Sequence, residues 1–550
     1  MKKSSSLHHN ALSVAGIIIT MGIVFGDIGT SPLYVMKAIL SGARGTIETD
    51  FILGAISCII WTLTLQTTVK YVLITLRADN KGEGGIMALY ALVRKRKKWL
   101  FALAIVGGST LLADGIITPS ITIVSAVEGL QLQFPEIQVL PIALVIVASL
   151  FLVQQFGTSA IGKSFGPIMM VWFGMLALLG FVQLVQLPLV LKAFNPYYAA
   201  HLLYHYPHGF LLLGAVFLCT TGAEALYSDL GHCGINNIRA SWIFVKVSLI
   251  LNYLGQGAWI LMQHKPGVDL ANPFFAIMPA GFQLFGVLIA TAAAVIASQA
   301  LISGSYTIIS EAIQLNFWPK VRITYPTTRK GQMYISSINW FLFAACVVVI
   351  LMFKSSSNME AAYGLAITIT MLMTTFLMLF YLVKTRRKAW YIVAFALVYL
   401  TIEGTFLAAN LAKFIHGGWF TLFLAGMIAF IMYTWYRGRN IKNQFTRFVK
   451  IADYAQTIKD ISHDESIQKF ATNLVYITHA DLKTDIETKI LYSICNKKPK
   501  RADTYWFLHV HITDEPHTME YSVDKIIPGV AMRVEFRLGF KVQPRINLYF

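Results

Sequence analysis

Ala15-Gly16-Ile17-Ile18-Ile19-Thr20-Met21-Gly22-Ile23-Val24-Phe25-Gly26-Asp27-Ile28-Gly29-Thr30-Ser31-Pro32-Leu33-Tyr34 is long and apolar enough to cross a bilayer, yet a Gly-Asp-Ile-Gly-Thr-Ser-Pro run interrupts it. Irregular backbone at membrane depth survives only where it is buried in protein or lines a cavity. An ionisable residue at that depth is a functional-site hypothesis by default. Discontinuous helices near the midplane are where secondary transporters hold their ions. The stretch therefore predicts a polytopic membrane protein with a broken first helix and Asp27 at the break.

Composition agrees with that class. Of 550 residues, 56% are hydrophobic and 13% charged, against about a quarter charged in soluble domains. Several apolar runs are long enough to span a bilayer, which is the expected lipid partner. The formal charge of +18 raises nucleic acid as a partner, but the bases gather in alternate loops, as the positive-inside rule requires, so no nucleic acid is expected. Cys58, Cys219, Cys233, Cys346 and Cys495 form no Cys-x-x-Cys pair and read as small buried hydrophobes. The apolar run after Lys2 and Lys3 is too long for a cleavable leader and should remain as the first span.

Working outward, twelve spans are expected near 12–40, 52–76, 100–128, 138–156, 165–187, 209–228, 240–262, 281–311, 334–353, 359–383, 389–410 and 414–436. Arg77, Lys81 and Arg94 to Lys98 load the second loop; Lys320, Arg322, Arg329 and Lys330 load the eighth; Lys384 and Arg386 to Lys388 load the tenth. The odd loops carry lone bases such as Arg44, Lys192 or Lys265. Even loops and both termini are thus expected on the cytoplasmic side. The organisation read from this is a transmembrane domain over 1–436 and a cytoplasmic domain over 437–550. Alternating residues in 473–478, 506–512 and 531–537 predict strands of a small α/β fold, with a helix near 480–494. The Lys497-Lys498-Pro499-Lys500-Arg501 run reads as a solvated loop.

Asp27, Asp114 and Glu224 lie deep in the first, third and sixth spans. Each acid at a helix centre costs about 2.5–3.5 kcal/mol on insertion scales. Three exposed to lipid would cost on the order of 8–10 kcal/mol, so they must face a polar cavity, share protons or hold a cation. Asp27 as a helix cap and Glu224 as the partner of Lys246 are the structural alternatives. Asp114, Thr118, Thr122 and Ser125 follow helical spacing along one face. Thr221 lies three residues before Glu224, and Tyr34 seven after Asp27. Carboxylates, hydroxyls and freed carbonyls are hard oxygen donors suited to an alkali cation; the softer ligands of a transition metal are missing from this set. Gly26-Asp27-Ile28-Gly29-Thr30 and Thr221-Gly222-Ala223-Glu224 echo one another, which suggests two inverted halves, each opening with a broken helix.

Other residues carry less. Glu311 is read as reaching the cytoplasmic interface. Glu403 is either a second polar site or a structural hydrogen bond. Glu83 sits in a glycine-rich turn that is no phosphate loop, because a Gly-Lys-Ser/Thr ending is missing. His201, His205 and His208 are read as interfacial histidines rather than a metal site.

These residues resemble the bacterial Kup potassium uptake permeases of the Kup/HAK/KT family. The matching stretches are residues 26–34, Arg77-Ala78-Asp79-Asn80-Lys81-Gly82-Glu83-Gly84-Gly85, Ile117-Thr118-Pro119 and 222–232. Asn252-Tyr253-Leu254-Gly255-Gln256-Gly257, Ala297-Ser298-Gln299-Ala300, Ser357-Asn358, Ala361-Ala362-Tyr363-Gly364 and Gly417-Gly418-Trp419 continue them in family order. The resemblance implies a LeuT-like fold of the amino acid–polyamine–organocation superfamily, with two five-helix inverted repeats and two further helices. It implies potassium–proton symport in the bacterial cytoplasmic membrane, with potassium and protons as substrates, no other cofactor and no enzymatic activity. The potassium-site positions it implies are Asp27, Tyr34, Asp114, Thr118, Thr122, Thr221, Glu224 and Tyr363. Asp114 replaces the Glu of some relatives, and Thr122 a Ser. Some relatives form homodimers through the cytoplasmic tail or bind a regulatory cyclic dinucleotide there, which makes both candidate partners of this chain.

On this reading Asp27 and Asp114 hold the cation and Glu224 exchanges the coupling proton. An amino-acid or polyamine transporter of the same fold is a rival, although three acids would repel a substrate carboxylate. A potassium channel is another, although the chain carries no Thr-Val-Gly-Tyr-Gly filter.

Overall fold

The computed structural model describes residues 12–43, 48–80, 82–156, 159–206, 208–263, 272–327, 332–480, 482–496, 498–513 and 515–550. Lys2, Lys3, Arg44, Lys81, Lys265, Arg329, Lys330 and Lys497 lie outside them. Eleven helices among the described residues are long and apolar enough to cross a membrane, and twelve spans result when the bent pair Val14–Val24 and Gly26–Leu33 is counted as one. The others are Thr49–Arg77, Leu100–Leu132, Val139–Phe156, Ser164–Gln186, Gly209–Ser228, Ile235–Gln263, Gln283–Gln314, Ser336–Phe353, Ser356–Lys384, Ala389–Leu411 and Trp419–Gln444. We number them second to twelfth. The chain forms two compact units, one of Met1–Ile323 with Met333–Tyr433, the other of Thr324–Gln332 with Thr434–Phe550.

In the helical unit the first span bends by 68° at its break. Phe25 leaves helical geometry, a short helix Gly26–Thr30 follows, Pro32 sits in a tight turn Ser31–Leu33, and Tyr34 precedes the helix Val35–Gly42. The freed carbonyls are met by side chains: Trp172 donates to Gly29 O at 2.9 Å, Gln256 to Pro32 O at 3.2 Å and Asn272 to Leu33 O at 2.9 Å. Unpaired backbone at this depth would cost several kcal/mol, on the order of 2–7 per group. Small residues bring backbones together where helices cross. A Cβ on Gly22 would lie 2.6 Å from Gly166 N, one on Gly26 2.8 Å from Ala297 Cα, and one on Gly255 2.4 Å from Gly180 Cα. The first span thus packs against the fifth and eighth, and the fifth against the seventh. The third span packs between the eighth and tenth, and almost every residue of its middle is buried. Val145, Phe181, Leu397 and Phe430, on the fourth, fifth, eleventh and twelfth spans, are exposed apolar residues suited to face lipid.

Among its described residues the second unit has six strands: β1 (Phe448–Lys450), β2 (Lys469–Ile477), β3 (Asp485–Glu487), β4 (Arg501–Thr513), β5 (Met519–Ile527) and β6 (Ala531–Gly539). β1 and β3 pair antiparallel; the larger sheet runs β2-β4-β6-β5, parallel except for β5. Tyr505 and Phe507 pack with Ile458, Ile490 and Ile494 of two helices in one core, and Leu508, Val534, Phe536 and Leu538 form a second. The three expected strands are present and longer than expected. The helix expected near 480–494 begins only at Thr488, because Asp485–Glu487 extends to pair with β1.

Candidate functional site

The sixth span breaks where the echo expects. Helix Gly209–Val216 tightens over Phe217–Thr220, Thr221 is extended, Gly222 adopts φ +84° and a new helix starts at Ala223. A Cβ on Gly222 would stand 2.8 Å from Ile28 N and 2.9 Å from Asp27 Cβ. Glycine is therefore required twice over, by its left-handed backbone and by the close approach of the two breaks.

Side chains from four spans converge there, all buried. Tyr363, on the tenth span, donates to Asp27 Oδ1 at 3.1 Å. Thr118, on the third, lies 3.0 Å from both the Tyr363 hydroxyl and Asp114 Oδ1. Asp27, Tyr363, Thr118 and Asp114 thus form a chain of three oxygen–oxygen links. Its two hydroxyls bring only two protons. The third link takes a carboxyl proton, or a bound cation replaces it. Asp27 Oδ2 has no hydrogen-bond partner although it is buried. Beside it, the Ser31 and Thr221 hydroxyls meet at 2.9 Å, and the Tyr34 hydroxyl lies 3.3 Å from Thr221 and 3.5 Å from Ser31.

The remaining candidates fall less centrally. Thr122 donates to Thr118 O at 2.6 Å and lies 3.5 Å from Ser298 Oγ. Ser125 Oγ is buried without a partner. Glu224 accepts from Tyr71 at 2.6 Å, so Tyr71, not Lys246, is its partner. Glu403 forms a buried ion pair with Lys70 of the second span. The carbonyls of Gly29, Pro32 and Leu33, freed by the break, are held by side chains and serve the fold first.

Lys70 and Tyr71 escaped the sequence reading, although a lysine in an apolar run is as strong a signal as an acid. Glu360 escaped it as well. It is buried one turn before Tyr363, with Oε1 unpartnered. Glu311 is half-buried at the end of the eighth span. The glycine-rich turn holds Glu83 as expected: Gly82 N donates to Asp79 Oδ2 at 2.9 Å, and Asn80 and Glu83 exchange backbone bonds. The His201 and His205 rings stack at 4.5 Å.

The model of the K+ potassium transporter integral membrane domain matches residues 14–440, and that of the K+ potassium transporter C-terminal domain residues 471–550. A probable potassium transport system protein Kup of Cytophaga hutchinsonii is 57% identical over 98% of this chain and 83% of its own length. A protein of the same name from Flavobacterium psychrophilum is 55% identical over 100% of this chain and 85% of its own. Among solved structures, a mutant manganese transporter of Eremococcus coleocola aligns with 80% of this chain and 96% of its own at 12% identity, with a TM-score of 0.47, a likeness too loose to argue from.

Proposed function

Because the chain belongs to the Kup family of potassium transporters, we propose that it carries potassium into the cell across the bacterial cytoplasmic membrane, driven by co-transported protons. The observation that carries this reading is Asp27 Oδ2, a buried carboxylate oxygen without a partner, set between the two helix breaks. A dehydrated cation replaces its water with such oxygens. The ion is held by Asp27 and Asp114, with Tyr34, Thr118, Thr122, Thr221, Glu224 and Tyr363 completing the site.

The proton count of the Asp27–Asp114 chain supports competition or exchange between a proton and a cation. Glu224, outside that chain, is the residue that passes the coupling proton. The two broken helices suit a LeuT-like pair of inverted repeats, in the amino acid–polyamine–organocation superfamily. The basic even-numbered loops support a cytoplasmic position for both termini.

The test is potassium uptake into liposomes containing the protein, with an imposed pH gradient and a pH probe inside. An inward proton gradient is expected to drive potassium accumulation, and an inward potassium gradient to acidify the lumen. Potassium flux with no luminal pH change, at clamped membrane potential, rules out proton coupling.

A further inference from the structure

Lys70 and Glu403, on the second and eleventh spans, have no exposed surface. Their ion pair is direct. The Lys70 ammonium brings three N–H groups and meets three acceptors: Glu403 Oε1, Met371 O at 3.1 Å and the Tyr71 hydroxyl at 3.4 Å. Glu403 Oε2 accepts from Thr375 at 2.8 Å. A buried ion pair is weak evidence for stability, since apolar side chains of similar volume often serve as well or better. Something other than stability has to account for it.

The neighbour supplies the reason. Lys70 donates to the Tyr71 oxygen, so the single phenolic proton is left to point at Glu224 Oε1, 2.6 Å away. The ammonium also lies 4.7 Å from the centre of the Tyr71 ring. The backbone is built for this arrangement. Across Leu63–Ile74 the helix widens into π-type turns, and the hydroxyls of Thr68 and Thr75 donate to carbonyls five residues back, those of Leu63 and Lys70. Such widening is rare, and it recurs at functional sites. Lys70 and Tyr71 lie within this widened stretch, and both are fully buried.

We infer that Lys70 and Glu403 are positioning residues for the cation site: the pair fixes the Tyr71 hydroxyl so that its proton occupies one oxygen of Glu224, and the cation meets Glu224 through the other. This rests on the reading that Glu224 faces the transported ion. The test is rubidium uptake by the full-length protein in liposomes, with KM and maximal rate measured separately for Lys70→Met/Glu403→Leu, Tyr71→Phe, the triple variant and Glu224→Gln. The double variant removes both charges together, so it leaves neither ion unpaired in the interior.

The double variant and Tyr71→Phe are each expected to raise KM about two- to twelvefold, the scale of one hydrogen bond. The triple variant is expected to be no worse than Tyr71→Phe alone, because all act through one hydroxyl. An unchanged KM in the double variant, or a triple effect equal to the product of the two, overturns the proposal. Should the double variant fail to reach the membrane, Glu403→Asp keeps both charges and withdraws the carboxylate; a raised KM that Tyr71→Phe already saturates supports the proposal, and an unchanged one overturns it. If Glu224→Gln leaves KM unchanged, the site reading itself fails; if only Glu224→Gln raises it, the positioning role fails alone.

Discussion

Asp27 differs from an ordinary buried carboxylate in having one oxygen satisfied and one bare. On the proposed reading, replacing it by Asn keeps the volume and removes the charge that would offset cation dehydration. Asp27→Asn is expected to abolish rubidium uptake at unchanged membrane abundance. The neutral hydroxyls of the proposed site should grade by geometry. Thr118 makes two contacts of 3.0 Å, one to Asp114 and one to the Tyr363 hydroxyl, whereas the Tyr34 hydroxyl makes longer contacts of 3.3 and 3.5 Å. Hydrogen bonds weaken towards that limit. Thr118→Val should therefore sit near the upper end of the range expected for one lost hydrogen bond, about two- to twelvefold in apparent affinity, and Tyr34→Phe near the lower. Equal and negligible changes in rubidium KM for the two would make this face structural. The acids of this cluster were legible because an acid in an apolar segment is conspicuous in a sequence, whereas Tyr363 entered only through the family resemblance. The contacts within the cluster were not legible, since Tyr363 and Asp27 are separated by 336 positions along the chain.

Among the elements, the two breaks depend on each other. Gly222 stands against Asp27 and Ile28, so a methyl group there strains its own backbone and pushes on the neighbouring break. Left-handed geometry costs a non-glycine residue about 1–2 kcal/mol, small beside its effect on a site built at this contact. Gly222→Ala is expected to lose most uptake while thermal unfolding shifts by only a few degrees; full uptake would mean that the breaks need not touch. The first break could be read from sequence because glycine and proline punctuate it. The second showed only as an echo, with no proline to mark it. The widened turns of the second span were hidden: Gln66 and Lys70 mark Leu63–Ile74 as unusually polar, but no residue type in it signals a π-type turn. β5 was overlooked although Met519-Glu520-Tyr521-Ser522-Val523-Asp524 alternates apolar and polar residues; it lies mostly exposed at the edge of the sheet.

At the scale of the whole molecule, the two units answer to different solvents. Burial raises the pKa of Glu487 in the second unit, but the bonds from His479 N at 2.9 Å and the Thr478 hydroxyl at 2.7 Å outweigh it and hold the carboxyl below its usual range. A carboxylate with a depressed folded pKa contributes stability above its unfolded pKa and loses it as pH falls through the folded value. Acid is thus expected to loosen this unit, and Glu487→Gln to be less stable at neutral pH and less sensitive to acid. Hydrogen exchange of peptides covering β2 to β4, corrected for intrinsic rates, reads this; identical acid profiles in both proteins contradict it. The helical unit depends instead on satisfying its backbone without water, and that has a mechanical consequence. Trp172, Gln256 and Asn272 pin the elbow of the first span to the fifth span, the seventh and the segment before the eighth. Three such bonds are together worth about 1.5–4.5 kcal/mol, so the elbow is a riveted joint and not a hinge. On the proposed reading, rocking of a block then opens the ion site more cheaply than flexing of one helix. Spin labels on the first and seventh spans should keep their separation through the transport cycle, while labels on the first and third change theirs.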